Sequence, residues 1–118
     1  YNDILFEISK NKNINIEIIK LLYNHSSWEI KCNCASSVKI TIEYLNKMFD
    51  LEVDIYNDRY HKGFASNVIE SIANNNLTDY HLLKKIYKFI TNKNYIYYNE
   101  FIIKAIKSNP NWRLTDFE

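Results

Sequence analysis

An all-α fold of stacked helical pairs, an α-solenoid of about three to four repeats, is predicted by three observations on this chain. The first is a recurring pattern. Ile4-Leu5-Phe6-Glu7-Ile8, Ile30-Lys31-Cys32-Asn33-Cys34, Val68-Ile69-Glu70-Ser71-Ile72 and Ile102-Ile103-Lys104-Ala105-Ile106 lay over one another. Ten residues beyond the first three blocks come the pairs Ile18-Ile19, Tyr44-Leu45 and Leu82-Leu83, continued by Leu22-Tyr23, Met48-Phe49 and Ile86-Tyr87. The second is spacing: apolar groups at i and i+4, or at i, i+1, i+4 and i+5, form one stripe of an α-helix. The third is punctuation. With one Gly and one Pro the chain lacks the turn vocabulary of a multi-stranded sheet protein, and its many Asn suit helix caps and junctions.

Taken in order, helices are expected over residues 3–10, 16–24, 28–36, 41–50, 64–73, 79–91 and 95–107. The first of each pair has large apolar groups at i and i+4 with a small residue at i+3; Glu7 departs from that rule in the first copy. The second carries a wider stripe suited to packing on two neighbours. Turns are expected at Asn11 to Asn15, Ser36 to Thr41, Asn74 to Thr78 and Asn109 to Trp112, where short polar side chains bond local backbone and cap the next helix. The repeat units read as 1–25, 26–50, 64–91 and 95–118, a single domain with an irregular insertion at 50–63. Insertions of this kind emerge on one face of a solenoid, often the binding face. The chain opens at Tyr1 and stops within a repeat, so it is expected to be a piece of a longer array.

At 118 residues and 47% hydrophobic content the chain can bury a continuous core. Its 15 Lys and Arg balance 14 Asp and Glu, so no global field calls for nucleic acid or an anionic membrane. No apolar stretch approaches the roughly 20 residues that span a bilayer, and the residues from Tyr1 on do not show a basic start followed by an apolar run and a small-residue cleavage site. An intracellular, cytoplasmic setting with reduced Cys32 and Cys34 is the expectation.

Several of these segments resemble a known family. Ile72-Ala73-Asn74-Asn75-Asn76-Leu77-Thr78 before Leu82-Leu83, Ile106-Lys107-Ser108-Asn109-Pro110-Asn111, and Glu29-Ile30-Lys31 leading to Cys34-Ala35 are similar to degenerate copies of the leucine-rich repeat variant. That family is HEAT-like in architecture. Its units carry an acidic-aliphatic-basic start, a small-residue pair, an Asn-Pro-Asn turn and a Leu-Leu helix. The resemblance covers most of the chain outside 50–63, and only Asn109-Pro110-Asn111 keeps the turn intact. It implies a right-handed superhelix used as a scaffold or recognition surface, with no catalytic residue to carry over.

No constellation of residues supplies chemistry of its own. Asp50, Glu52 and Asp54 sit where the first acids of a calcium loop would, but Ile55 stands in place of the turn Gly and His61 in place of the bidentate Glu. The run is therefore expected to be a solvated acidic loop. His25, His61 and His81 have no compact zinc spacing with one another or with the cysteines. Cys34 aligns with Ile72 and Ile106, which predicts a buried, inert thiol. Neither a metal nor a cofactor is expected, and the chain is expected not to be an enzyme.

The function expected is binding of a protein or peptide, without a small-molecule substrate or membrane. In a HEAT-like stack the first-block helices line the concave face, which nominates Trp28, Tyr97, Phe101 and Lys104 as anchors; Tyr98 is assigned to the core with Ile102. Two alternatives stay open. One is a nucleic-acid-binding module using Lys84, Lys85, Lys88, Lys93, Lys104 and Lys107 with the tyrosines between them. The other is a regulatory or targeting module of a larger enzyme.

Overall fold

The computed structural model describes residues 2–24, 27–58, 62–92 and 96–113, and their side chains except at 2, 3 and 96–98. All regular structure among them is helical: α1 (Asn2–Ser9), α2 (Ile16–Tyr23), α3 (Trp28–Ala35), α4 (Ile42–Tyr56), α5 (Lys62–Asn74), α6 (Tyr80–Thr91) and α7 (Ile96–Ser108). The starts of three helices follow directly from residue type. Asn15, Thr41 and Asp79 each take an extended backbone, and their side-chain oxygens accept the N–H of Ile18 at 3.0 Å, Tyr44 at 3.1 Å and Leu82 at 2.9 Å. Each bond satisfies one of the otherwise orphaned amides of the first turn.

Helices α1, α3, α5 and α7 pack in succession, each against the next, while α2, α4 and α6 pack on the odd-numbered helix that follows. The core lies where these helices meet. Ile19, Leu45, Met48, Val68, Ile72, Leu83, Ile86 and Ile106 are wholly buried in it, as the recurring apolar positions predict. The radius of gyration, 13.8 Å, is close to the about 13.5 Å expected of a compact domain of this length. Ile72→Val is expected to lower the unfolding free energy by about 0.5–1.5 kcal/mol, the usual effect of deleting one buried methyl, measured by urea denaturation.

The turns that join the two helices of each pair, and the turn after α7, are hydrogen-bonded alike. Asn11, Ser37, Asn75 and Asn109 each accept, through a side-chain oxygen, the N–H two residues ahead: Asn13 at 3.0 Å, Lys39 at 3.1 Å, Leu77 at 2.8 Å and Asn111 at 2.9 Å. The last three of these residues also reach back one junction. Ser37 Oγ donates to the carbonyl of Lys12 at 3.3 Å. Asn75 Nδ2 donates to those of Ala35 at 2.7 Å and Ser37 at 3.1 Å, and Asn109 Nδ2 to those of Ala73 at 2.8 Å and Asn75 at 2.9 Å. The result is a ladder of side-chain hydrogen bonds, its first rung a hydroxyl and the later ones amides, that ties each of these turns to the one before.

One expectation fails. Residues 50–63 are not an irregular acidic loop, because α4 continues through Tyr56 and α5 begins at Lys62. The stripe Leu45, Met48, Phe49 carries on to Glu52 and Tyr56, all of them buried. Asp50 and Asp54 point to solvent from the same helix. Residues 59–61 lie outside the described part of the chain.

Candidate functional site

A cleft of about 210 Å³ opens where α3, α4 and α5 meet, lined by Trp28, Lys31, Glu52, Ile55, Asp58, Phe64 and Ala65. Trp28 stands at the first position of α3 and Phe64 in the first turn of α5, so both rings sit at the same end of neighbouring helices. They stack, with centroids 5.8 Å apart and planes 10° from parallel. Offset stacking of this kind is favourable beyond area burial and makes a rigid apolar rim.

Beneath the rim lies a charged group that the rest of the fold has closed over. Glu52 is only 1% exposed. Its Oε2 accepts a short hydrogen bond from the Tyr23 hydroxyl and lies 3.9 Å from Lys31 Nζ. Lys31 in turn stands 5.4 Å over the Tyr23 ring, and Tyr23 meets Tyr44 edge to face at 6.0 Å. Burial raises the Glu52 carboxyl above its ordinary value of 4.5, opposed by the Tyr23 hydroxyl and the Lys31 charge. Burial, followed by the neighbouring Glu52 charge, likewise pushes the Tyr23 hydroxyl up. The four groups form a closed network in which an apolar site surrounds a carboxylate held by one hydroxyl and one ammonium.

The cysteines behave as buried hydrophobes. Cys34 is fully buried, its thiol lies 3.8 Å from the carbonyl of Ile19, and burial pushes its pKa up to about 12. Cys32 is half-buried and raised to about 11, again chiefly by burial. Both therefore stay protonated near neutrality, and the nucleophilic thiolate is not populated. Among the described residues no group of three or more His, Cys, Asp or Glu is arranged to hold a metal ion. His81 is exposed on α6, and His25 and His61 lie outside the described residues. Among the described residues no helix is long and apolar enough to cross a membrane.

The four anchors named from the sequence fall in different surroundings. Trp28 joins the cleft through Phe64. Phe101 is 54% exposed on α7, and Lys104 is exposed beside it. Tyr97, and Tyr98 with it, belong to α7, but their side chains lie outside the described residues. No described contact joins Trp28 to the α7 group. Two of the α6 lysines lie over the protein's own rings: Lys84 is 5.8 Å from the Tyr80 centroid, and Lys85 is 5.6 Å from that of Phe49 and 2.7 Å from Asp50.

Sequence reasoning missed Phe64 and Glu52. Phe64 becomes a partner of Trp28 only through the packing of α3 on α5, which no local pattern announces. Glu52 left a signal, since it occupies the i+4 slot after Met48 and the i−4 slot before Tyr56 in the α4 stripe. A second depression, of about 440 Å³, lies between α2 and α4 among Lys20, Asn24, Thr41, Glu43, Tyr44, Lys47 and Leu51. Apart from Tyr44, its lining is exposed.

No known protein family, characterised protein or solved structure matches this chain.

Proposed function

We propose that the chain is a non-catalytic, protein- or peptide-binding scaffold of the stacked-helical-pair class, HEAT-like and akin to the leucine-rich repeat variant, in an intracellular setting that suits its two reduced thiols. The observation that carries the reading is the rim of stacked Trp28 and Phe64 over a cleft with a buried carboxylate in its wall. Large, rigid aromatic groups around a small pocket are the usual anchors of an interface, and a cleft of about 210 Å³ takes one side chain of a partner and not a whole metabolite. The buried polar groups at the site hold one another, which supports recognition and not proton transfer. Phe101 and Lys104 on α7 extend the same role, an exposed ring with a cation one turn away.

Selection of peptides from a random display library tests this. Peptides that bind the parent chain are expected to lose at least tenfold in affinity on Trp28→Ala, with the far-ultraviolet circular dichroism of the variant unchanged. Selected peptides that bind the variant equally well would remove the cleft from the binding surface. Changing Tyr97 and Phe101 together to Ser separates the α7 contribution: weaker binding with an unchanged Tm keeps α7 in the interface, and loss of folding places those rings in the core.

A further inference from the structure

The junction ladder puts three helical pairs and α7 in one register, and in that register the first pair stands apart. Aligning Asn11, Ser37, Asn75 and Asn109 brings Ile4 onto Ile30, Val68 and Ile102, and Ile8 onto Cys34, Ile72 and Ile106. The later residues are buried almost completely, whereas Ile4 is 66% and Ile8 40% exposed. On the second helix Ile18 corresponds to Tyr44 and Leu82, both buried, yet Ile18 is 38% exposed. Helix α1 is not misplaced, because Leu5 and Phe6 pack against the core and Ser9 Oγ accepts from Asn33 Nδ2 at 3.0 Å. The positions that are buried in every later copy are open to solvent in the first, and for Cys34 the backward contact is direct, its thiol 3.8 Å from the carbonyl of Ile19.

A polar group repeats the argument independently of the apolar ones. Ser37, Asn75 and Asn109 donate to carbonyls of the preceding junction. Asn11 has the same bond from its oxygen to the N–H two residues ahead, but its Nδ2 finds no acceptor among the described residues. Apolar groups at Ile4, Ile8 and Ile18 and a donor at Asn11 are one half of the interface that the molecule builds between its own pairs.

We propose that the Ile4, Ile8, Ile18 and Asn11 face docks an α-helical hairpin of this chain's own junction type, whose helix covers the isoleucines and whose turn offers Asn11 two carbonyls. The occupant is identified by continuity with the interfaces already formed between α1 and α3, α3 and α5, and α5 and α7. Leu21 marks where the docking face ends. It is exposed too, but its counterparts Lys47 and Lys85 are exposed charges, so that position faces solvent in every copy. The face shares no residue with the Trp28–Phe64 cleft, so failure of either reading leaves the other standing.

The test supplies such a hairpin to the whole chain. Fusing a copy of residues 62–98 directly ahead of Tyr1 places the copied Asn75 34 residues before Asn11, the separation of Asn75 from Asn109. The fusion is expected to unfold in a single transition with its Tm raised by about 5 °C or more. The double change Ile4→Lys with Ile8→Lys should leave the parent's Tm nearly unchanged and abolish the gain in the fusion. Asn11→Ala should behave likewise and Leu21→Lys should alter neither protein. A fusion that melts in two steps with no gain would overturn the proposal. So would a parent chain that sediments as a dimer and is returned to monomer by the double change, since the face would then belong to a second copy.

Discussion

Asn75→Ala is expected to destabilise the protein by about 3–5 kcal/mol, because two buried carbonyls and one part-buried N–H lose their partner at once. The side chain donates to the buried carbonyls of Ala35 and Ser37 and accepts from the part-buried N–H of Leu77, and it is itself buried. Each buried polar group left unpaired costs about 1–3 kcal/mol, and a domain of this size has only about 5–15 kcal/mol in total. Asn75→Asp should be worse still, since it puts an acceptor opposite two carbonyls. Asn11→Ala is the internal contrast: the same residue type in the same turn, but exposed and without the backward bonds, so its loss should stay within about 1 kcal/mol. Urea denaturation of the variants decides the matter. Equal losses at Asn75 and Asn11 would mean that the turn alone, and not the tie to the preceding pair, gives Asn75 its effect.

That contrast also explains what could be read from the residues alone. The helices fell close to their expected positions because apolar spacing and Asn-rich junctions act locally, through periodicity and capping. The backward bonds of Asn75 and Asn109 span 40 and 36 residues, beyond any local pattern. The run at Asp50, Glu52 and Asp54 misled for a specific reason. Alternating acids resemble a cation loop, but on a helix residues two apart face different ways, so the run divides into two solvated carboxylates and one buried one. Composition alone does not say which acid goes inside; the stripe of Met48, Phe49 and Tyr56 does. The cleft was half legible. Trp28 stood out as an aromatic at a helix start, and Phe64 acquired its meaning only when α5 came to lie against α3.

The buried carboxylate has a pH signature of definite sign. Because burial holds the folded Glu52 above its ordinary value of 4.5, the native state binds that proton more strongly than the unfolded chain. Stability should therefore decline as pH rises through the window above 4.5 and level off once the folded carboxyl has ionised. Glu52→Gln keeps an acceptor for the Tyr23 hydroxyl and removes the charge, so it should abolish the decline, leaving the variant more stable than the parent at pH 7 and equal to it near pH 4. Tyr23→Phe works in the opposite direction. It takes away a hydrogen bond to a charged group, about 1.5–3 kcal/mol at pH 7, and the loss should shrink toward about 1 kcal/mol in acid, where the carboxyl is neutral. Paired denaturation curves at pH 4 and pH 7 measure both effects. If Glu52→Gln instead destabilises at pH 7, the ammonium of Lys31, 3.9 Å away, outweighs desolvation and the carboxylate is a net stabilising charge.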